Sequence, residues 1–307
     1  MSFTDEVKHE LTHIKSSQTA ELAALIRMDG SIRIVNKKLS VKIKIYHGDL
    51  ARRIYSLVKE KFELKVEIVV RQAENFNRNH IYELILVPQS GIKDFLIRLG
   101  FLDKDNQIIF RIKKEFMEDK GFRKAYLRGA FLGGGSINDP HGEYHLEIRC
   151  DHESHAEDLL VLLSNFDLEG HMTEHKSKYV VYFKKFEDIT DFLNIIGAYN
   201  SQLEVENAHI LKEVKNNVNR KVNAETANLD KTVKAAMKQL ENIQLIKKHK
   251  GLDSLSDSLK EIAILRQKHP YASLKELGEL LEPTLSKSGV NHRMRNIKKI
   301  AREIRGE

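Results

Sequence analysis

Apolar and polar positions along this chain repeat with two periods, and the two alternate in an order that recurs. Val41, Ile43 and Ile45 interleave with Lys42 and Lys44, the period-two pattern of an antiparallel strand with one face buried. Other windows repeat near 3.6 residues, as amphipathic helices do. Over the first 200 residues the pattern predicts a helix near 19–29, strands near 31–36 and 40–46, and a helix near 48–61. Strands near 65–71 and 80–87 follow, and a helix near 90–99 closes the set. The same order then returns as 121–134, 136–139, 144–150, 153–166, 170–175, 178–184 and 187–197. The fold class this predicts is α+β with antiparallel sheets, in tandem.

The two sets match residue by residue. Tyr82-Glu83-Leu84-Ile85-Leu86, then Ile92-Lys93-Asp94-Phe95-Leu96 and Gly100, is answered 97 positions later. There the chain reads Tyr179-Val180-Val181-Tyr182-Phe183, then Ile189-Thr190-Asp191-Phe192-Leu193 and Gly197. Upstream, Leu22 to Ser31 answers Leu127 to Ser136 at an offset of 105, so copy two is shorter by eight residues. The loop around Asn75–Asn79 is the expected home of the extra length. Both ten-residue stretches read as a helix that ends at glycine and feeds a strand. Ala23, Ala24, Gly129 and Ala130 are small enough for two such helices to lie close together.

The last third reads as helices alone. One helix is expected over 203–216, followed by the Asn-rich stretch Asn216 to Asn223, a phosphate-contacting or hinge segment or else a capped linker. A long helix is expected over about 224–249, stopped by Gly251. Shorter ones are expected over about 254–268, ended by His269-Pro270, and about 273–281, opened by Ser273 as N-cap. The last runs from near Ser286 to about Ile304, and there Val290, Met294, Ile297, Ala301 and Ile304 fall within about 40° of one another. Ser288, Asn291, His292, Arg295, Lys298, Lys299 and Arg302 lie opposite that stripe. Hydrogen-bonding side chains come first on this face and cations later, the order a recognition helix needs for base edges and then flanking phosphates. A short helix and turn ahead of it complete a helix-turn-helix.

Charge sharpens the division. Residues 1–200 hold 30 basic and 30 acidic side chains, and residues 201–307 hold 21 and 14, so the last third carries the whole net charge of +7. Residues 151–200 are acidic, with 4 basic against 10 acidic side chains. A polyanion should meet the C-terminal third first. Apolar content of 41% and only four prolines argue for folded domains. No apolar run reaches the length of a membrane span, the acidic start is unlike a signal peptide, and Cys150 has no internal disulfide partner. The expectation is a cytoplasmic protein.

Other chemistry is weakly signalled. His141, His145, Cys150, His152 and His155 cluster in sequence, but their spacing fits no structural zinc pattern. Gly133-Gly134-Gly135 lacks the Lys and Ser/Thr of a phosphate loop, and there is no nucleophile elbow. No cofactor, metal site or catalytic residue is expected.

The helix-to-Gly-Ser pattern resembles the LAGLIDADG motif of homing endonucleases. In that family two such helices pack at a pseudo-two-fold axis, the sheets form a saddle on DNA, and an acid before the motif's last glycine binds the catalytic metal. The first copy keeps that acid as Asp29; the second has Gly134. Cleavage of that design needs carboxylates from both helices to hold hard cations. Asp29 is expected instead to bond the turn that follows its helix. Over the whole length, Asn219-Arg220-x-Val222-Asn223-x-Glu225-Thr226-Ala227-Asn228-Leu229 and Ser286-Lys287-Ser288-Gly289-Val290-Asn291-His292-Arg293 resemble the WhiA family. That resemblance implies a bacterial DNA-binding regulator of sporulation and cell division, with a degenerate LAGLIDADG body and a C-terminal helix-turn-helix.

The expected organisation is a LAGLIDADG-like domain over 1–205, a linker over 206–223 and a helix-turn-helix domain over 224–307. Ser288, Asn291, His292 and Arg295 are expected at bases and Lys287, Lys298, Lys299 and Arg302 at phosphates, with Arg293 also on DNA. The expected partner is double-stranded DNA at the nucleoid. The body is open to RNA polymerase, another regulator or an effector, and basic patches at Lys37–Lys44 and Arg111–Lys114 leave it a secondary DNA contact. A surviving endonuclease, or a structural nucleoid protein, is the alternative.

Overall fold

A computed structural model of the chain describes residues 2–14, 19–35, 38–72 and 80–306. The chain divides into two compact units, Met1–Lys212 and Glu213–Glu307.

The first unit opens with a helix the periodicity does not announce, α1 (Phe3–Thr12). A capping box starts it: the Ser2 side chain accepts from the Asp5 backbone N–H while the Asp5 carboxylate accepts from the Ser2 N–H. Phe3, Val7 and Leu11 form its buried face. The tandem copies follow. Copy one is α2 (Thr19–Asp29), β1 (Gly30–Val35), β2 (Lys38–Ile45), α3 (Gly48–Phe62), β3 (Glu67–Gln72), β4 (His80–Leu86) and α4 (Ile92–Arg98). A short helix, α5 (Lys114–Glu118), leads into copy two. This comprises α6 (Lys120–Gly134), β5 (Gly135–Ile137), β6 (Leu146–Cys150), α7 (Glu153–Ser164), β7 (His171–His175), β8 (Lys178–Phe183) and α8 (Phe186–Ile196).

Each copy builds one antiparallel four-stranded sheet, in the orders β1-β2-β4-β3 and β5-β6-β8-β7. Registers repeat along with order. Gly30 faces Ile43 and Gly135 faces Ile148, both shifted by 105; Val41 faces Leu86 and Leu146 faces Phe183, shifted by 105 and 97. The offsets read from the sequence are therefore the offsets of the fold. The Asn75–Asn79 segment, expected to hold the extra length, lies outside the described residues.

The copies meet through α2 and α6, which pack against each other along their length. Gly129 sets the approach: a Cβ there would lie 2.4 Å from the Glu21 carbonyl oxygen and 2.8 Å from Ala24 Cβ. This contact also contains charge. Glu21 is completely buried, and its carboxylate accepts from Arg53 (2.5 and 3.0 Å) and from Arg128 (3.2 Å). Arg128 also donates to the Ile196 carbonyl, and Arg53 to those of Thr12 and Ile14, so one acid ties both copies and α1 together.

Residues 203–249 were expected as two helices flanking an Asn-rich linker. They form one helix, α9 (Tyr199–His249), which continues through the expected linker 206–223. Asparagine costs a helix only about 0.6 kcal/mol relative to alanine, and no glycine or proline occurs between Gly197 and Gly251 to stop it. Its start is capped from outside: the Glu10 carboxylate accepts from the backbone N–H groups of Asn200 and Ser201. His209 stacks on Phe186 with ring centroids 3.9 Å apart and hydrogen-bonds the Tyr144 hydroxyl, fixing this first stretch to the body.

In the second unit the end of α9 packs with α10 (Asp257–Lys268), α11 (Leu274–Glu279) and α12 (Lys287–Arg305). Ile243, Ile246, Ile262, Leu277, Leu281, Val290, Met294 and Ile297 are its core. Ser273 and Glu276 close a capping box on α11, and Ser286 caps α12, as their positions predict. Gly278 is where α11 meets the following turn; a Cβ there would lie 2.1 Å from the Leu285 carbonyl oxygen. Arg266 is buried with its guanidinium on the carbonyls of His269, Pro270 and Ala272, pinning the turn between α10 and α11.

Candidate nucleic-acid interface

The exposed side of α12 is determined by what its other sides touch. Val290, Met294, Ile297 and Ala301 are buried against the core, as the wheel predicts, and Ile304 is half-buried at its edge. The remaining surface falls into three strips. On one flank Arg293 donates to the Ser258 carbonyl (3.2 Å) and the Glu261 carboxylate (3.1 Å), which ties α12 to α10. Its side chain is only 22% exposed, so among the nine expected DNA contacts Arg293 holds the helix in place. Down the outward centre lie Ser288, His292, Arg295 and Lys299, all exposed, with Lys287 at the helix start. Along the other flank Asn291, Arg295, Lys298, Arg302 and Arg305 border an open groove of about 500 Å³, whose far wall is α9 at Ala235–Asn242.

The cations of this surface differ from several in the body in being unpaired. In the body, Lys42 lies 2.5 Å and Arg71 3.3 Å from the Glu83 carboxylate, on the solvent face of the first sheet. The hydrogen bond from Lys42 holds the Glu83 carboxyl below the usual carboxylate range. The second sheet has Glu147 in the same role. Burial opposes its ionisation, but hydrogen bonds from His145 and Arg149 outweigh that and keep its carboxyl low. Arg111, within one expected basic patch, is bound to Glu157 and Asp158. Of the other patch, Lys37 lies outside the described residues and Lys42 is paired, while Lys38 and Lys44 are exposed and in no ion pair with a described carboxylate. Arg295, Lys298, Lys299, Arg302 and Arg305 likewise form no ion pair with any described carboxylate.

The site a nuclease would use is also in view. Asp29 ends α2, half-buried, and burial raises its carboxyl to about 7, with the Asp151 charge adding to the shift and Lys8 and Lys178 opposing it. Its carboxylate makes no hydrogen bond to a following turn among the described residues, contrary to expectation, because Gly30 leads straight into extended β1. Gly134 brings no carboxylate. The acid felt by Asp29 is Asp151, itself 2.9 Å from the Lys178 ammonium, whereas Asp139 bonds His141. Space beside Gly134 is already filled: a Cβ there would lie 2.1 Å from Met28 Cε and 2.7 Å from the Arg149 carbonyl oxygen. Among the described residues no three His, Cys, Asp or Glu side chains converge as a metal site. The histidines near Cys150 have separate partners: His155 is buried on the Tyr126 hydroxyl, His152 packs on Phe110, and His145 bonds Glu147.

Three family models match the chain: the WhiA N-terminal LAGLIDADG-like domain over 15–102, the WhiA LAGLIDADG-like domain over 123–215, and the WhiA C-terminal HTH domain over 218–301. The protein of Halothermothrix orenii named "Probable cell division protein WhiA" is 63% identical over 312 residues, covering 100% of both chains. The chain belongs to the WhiA family. A relative of the same name from Alkaliphilus metalliredigens is 42% identical over 100% of this chain and 99% of its own. The crystal structure of full-length DUF199/WhiA from Thermatoga maritima matches with a TM-score of 0.61 and 25% identity over 99% of each chain. That of the N-terminal LAGLIDADG domain of DUF199/WhiA matches 64% of this chain and 90% of its own, with a TM-score of 0.51 and 23% identity.

Within this WhiA chain, sequence reasoning placed eight of the nine expected contacts on exposed or groove-lining positions of α12 and missed three features beside them. It gave Arg293 to DNA although Glu261 holds it, and it omitted Arg305 and Lys238, which line the groove. Arg305 lies one helical repeat (i+3) beyond Arg302, so extending the wheel by one residue finds it. Lys238 carries no such signal, because nothing in the sequence says which residue of α9 faces α12.

Proposed function

We propose that this WhiA-family protein is a sequence-specific DNA-binding transcription regulator acting in cell division and sporulation, without nuclease activity. One observation carries the reading: an outward helix face on which Lys287, Arg295, Lys298, Lys299 and Arg302 are exposed and in no ion pair with a described carboxylate, with Ser288 and His292 exposed beside them. Free guanidinium and ammonium groups release counterions when they meet phosphates; paired ones must first break their own contact. Ser288, Asn291, His292 and Arg295 then read base edges, while Lys287, Lys298, Lys299 and Arg302 contact phosphates. The names of the WhiA relatives support the cell-division assignment.

The crowded Gly134 supports the absence of cleavage, since a second carboxylate at that position would displace Met28 or the β6 backbone. With Lys42, Arg71 and Arg149 held by Glu83 and Glu147, the body is suited to a protein partner, RNA polymerase or another regulator. Residues 206–223 join it to the helix-turn-helix as helix.

The test is selection of preferred duplexes from a random pool with the full chain, followed by binding of single variants. Asn291→Ala and Arg295→Ala should each cost about 1–3 kcal/mol on the preferred sequence and relax the preference. Lys299→Ala should weaken all duplexes alike. No preferred sequence would leave a structural nucleoid protein instead, and cut DNA in Mg²⁺ would restore the nuclease.

A further inference from the structure

The groove beside α12 has contents that the recognition helix alone does not require. Lys238 on α9 faces Arg295, Lys298, Arg302 and Arg305 on α12 across it, and Glu241 is the single carboxylate among its lining residues. None of the five cations is paired with a described carboxylate. Such a concentration of like charge is unfavourable in the free protein, and Glu241 alone among the lining side chains offsets it. A further unmet group lies beside them: Gln239 lines the groove, and its side-chain oxygen is buried without a hydrogen-bond partner among the described residues.

We propose that this groove is a track for the sugar–phosphate backbone of one DNA strand, so that α9 forms a second wall of phosphate contacts beside the recognition helix. The proposal rests on the reading of α12 given above and adds Lys238, Arg305 and Gln239 to it. Its basis is the shape of the charge. From Lys298 to Arg305 the cations follow each other at intervals of three or four residues, which lines them up over about 10 Å of helix, with the base-reading Arg295 one turn before them. A duplex strand presents its phosphates in regular succession along the backbone, so a row of cations laid along that backbone meets more than one of them. A compact anion would engage one or two of these cations and leave the others repelling each other; a linear polyanion engages them all. A helix seated in the major groove has a strand backbone along its flank. On the opposite flank Arg293 and Glu261 lock α12 to α10, which leaves this side as the open one. A water held by the Gln239 oxygen can pass its second hydrogen to a phosphate oxygen, which meets the unsatisfied acceptor without any base contact.

The experiment is a salt titration of DNA affinity by fluorescence anisotropy, using the full chain and several labelled duplexes of unrelated sequence. Lys238 and Arg305 are both exposed, so the Lys238→Ala/Arg305→Ala double variant should keep its fold, which its thermal melt checks. The slope of log K against log salt should flatten by about 1.8, close to 0.9 for each cation removed, and affinity should fall by the same factor on every duplex. Lys260→Ala, a change at a lysine already paired with Asp253, should leave the slope as in wild type. An unchanged slope in the double variant, with Arg295→Ala still altering binding, would overturn the track and leave the recognition helix standing. A loss confined to one duplex sequence would overturn it too, since the groove would then be reading bases. If neither the double variant nor Arg295→Ala changes binding, the assignment of α12 itself falls.

Discussion

Glu21→Gln should be among the most damaging single changes in the body, although it removes one charge and almost no volume. The wild-type carboxylate has no exposure and serves two guanidinium groups, each about 10% exposed, at 2.5 to 3.2 Å. After substitution Arg53 keeps the carbonyls of Thr12 and Ile14, and Arg128 keeps that of Ile196, but the only described anion between them is gone. Removing one partner of a buried ion pair typically costs about 3–5 kcal/mol, because the remaining charge stays out of water without compensation. Two stranded cations place this case towards the upper end, against a total stability of about 5–15 kcal/mol for a domain.

Urea unfolding of the full chain followed by far-UV circular dichroism measures it. With a dependence of about 2 kcal/mol per molar, the transition of the body should move down by roughly 2 M. The triple variant Glu21→Leu/Arg53→Met/Arg128→Met should recover most of that loss, because an apolar replacement of the whole network removes the desolvation cost along with the attraction. A single-variant loss below about 1 kcal/mol would refute the reasoning. So would a triple variant as unstable as the single one, since the network would then be stabilising in itself.

Gly129→Ala should lower the thermal midpoint and cost about 1–3 kcal/mol, since α2 and α6 must separate to admit the methyl group; Gly142→Ala, with nothing nearer than 3.4 Å, should be neutral. Gly278→Ala should weaken DNA binding and the unfolding transition of the second unit together, because the new Cβ meets backbone at Leu285 rather than a side chain that can turn away. Asp29 has its carboxyl raised by burial to about 7, above the ordinary 3.8, so the folded state holds this proton more tightly than the unfolded one. Its contribution to stability is present below pH 3.8 and lost as pH rises through 7; Asp29→Asn should therefore gain on wild type between pH 5 and pH 8 in urea midpoints, by about 1–3 kcal/mol. His155 runs the other way: burial lowers it to about 3, so its contribution is present above pH 6.5 and lost as pH falls towards 3. Acid titration should show that loss, and His155→Gln should reduce it.

The elements most legible in the sequence were those whose local pattern and tertiary role agree. Strand alternation at Val41–Ile45 survives in the sheet because one face of that sheet is covered, and the apolar stripe of α12 survives because a single core lies beneath it. The paired offsets of 97 and 105 reproduced the strand registers because register is fixed by which residues face the core. Charged residues were harder. Glu21, Arg128 and Arg266 are buried and Arg53 is half-buried, but a glutamate or arginine has the same one-letter code whether solvated or locked to a distant partner. Glu21 gave one faint signal, an acid set among the apolar residues of Ala20–Ile26. The continuity of α9 was missed for a different reason: asparagine favours turns, but only glycine or proline forbids helix strongly enough to end one this long.

Net charge alone would have placed DNA on the last third of the chain, but that inference is weaker than it looks. Residues 1–200 contain as many cations as anions, and a neutral sum is compatible with a strongly basic face balanced by acids elsewhere. Pairing narrows that possibility for the sheets. Glu83 draws in Lys42 and Arg71, and Glu147 draws in His145 and Arg149, so these cations are occupied, while Arg33, Lys38 and Lys44 of the first sheet are exposed and in no ion pair with a described carboxylate. A phosphate approaching Lys42 or Arg149 would have to compete with a carboxylate already in contact, at a cost comparable to its own gain. On α12 no such competitor is present, and Glu261, the acid that could have neutralised the helix, is used on Arg293 at its flank. What sets α12 apart is the row: Arg295, Lys298, Lys299, Arg302 and Arg305 stand together on one helix, none of them paired with a described carboxylate.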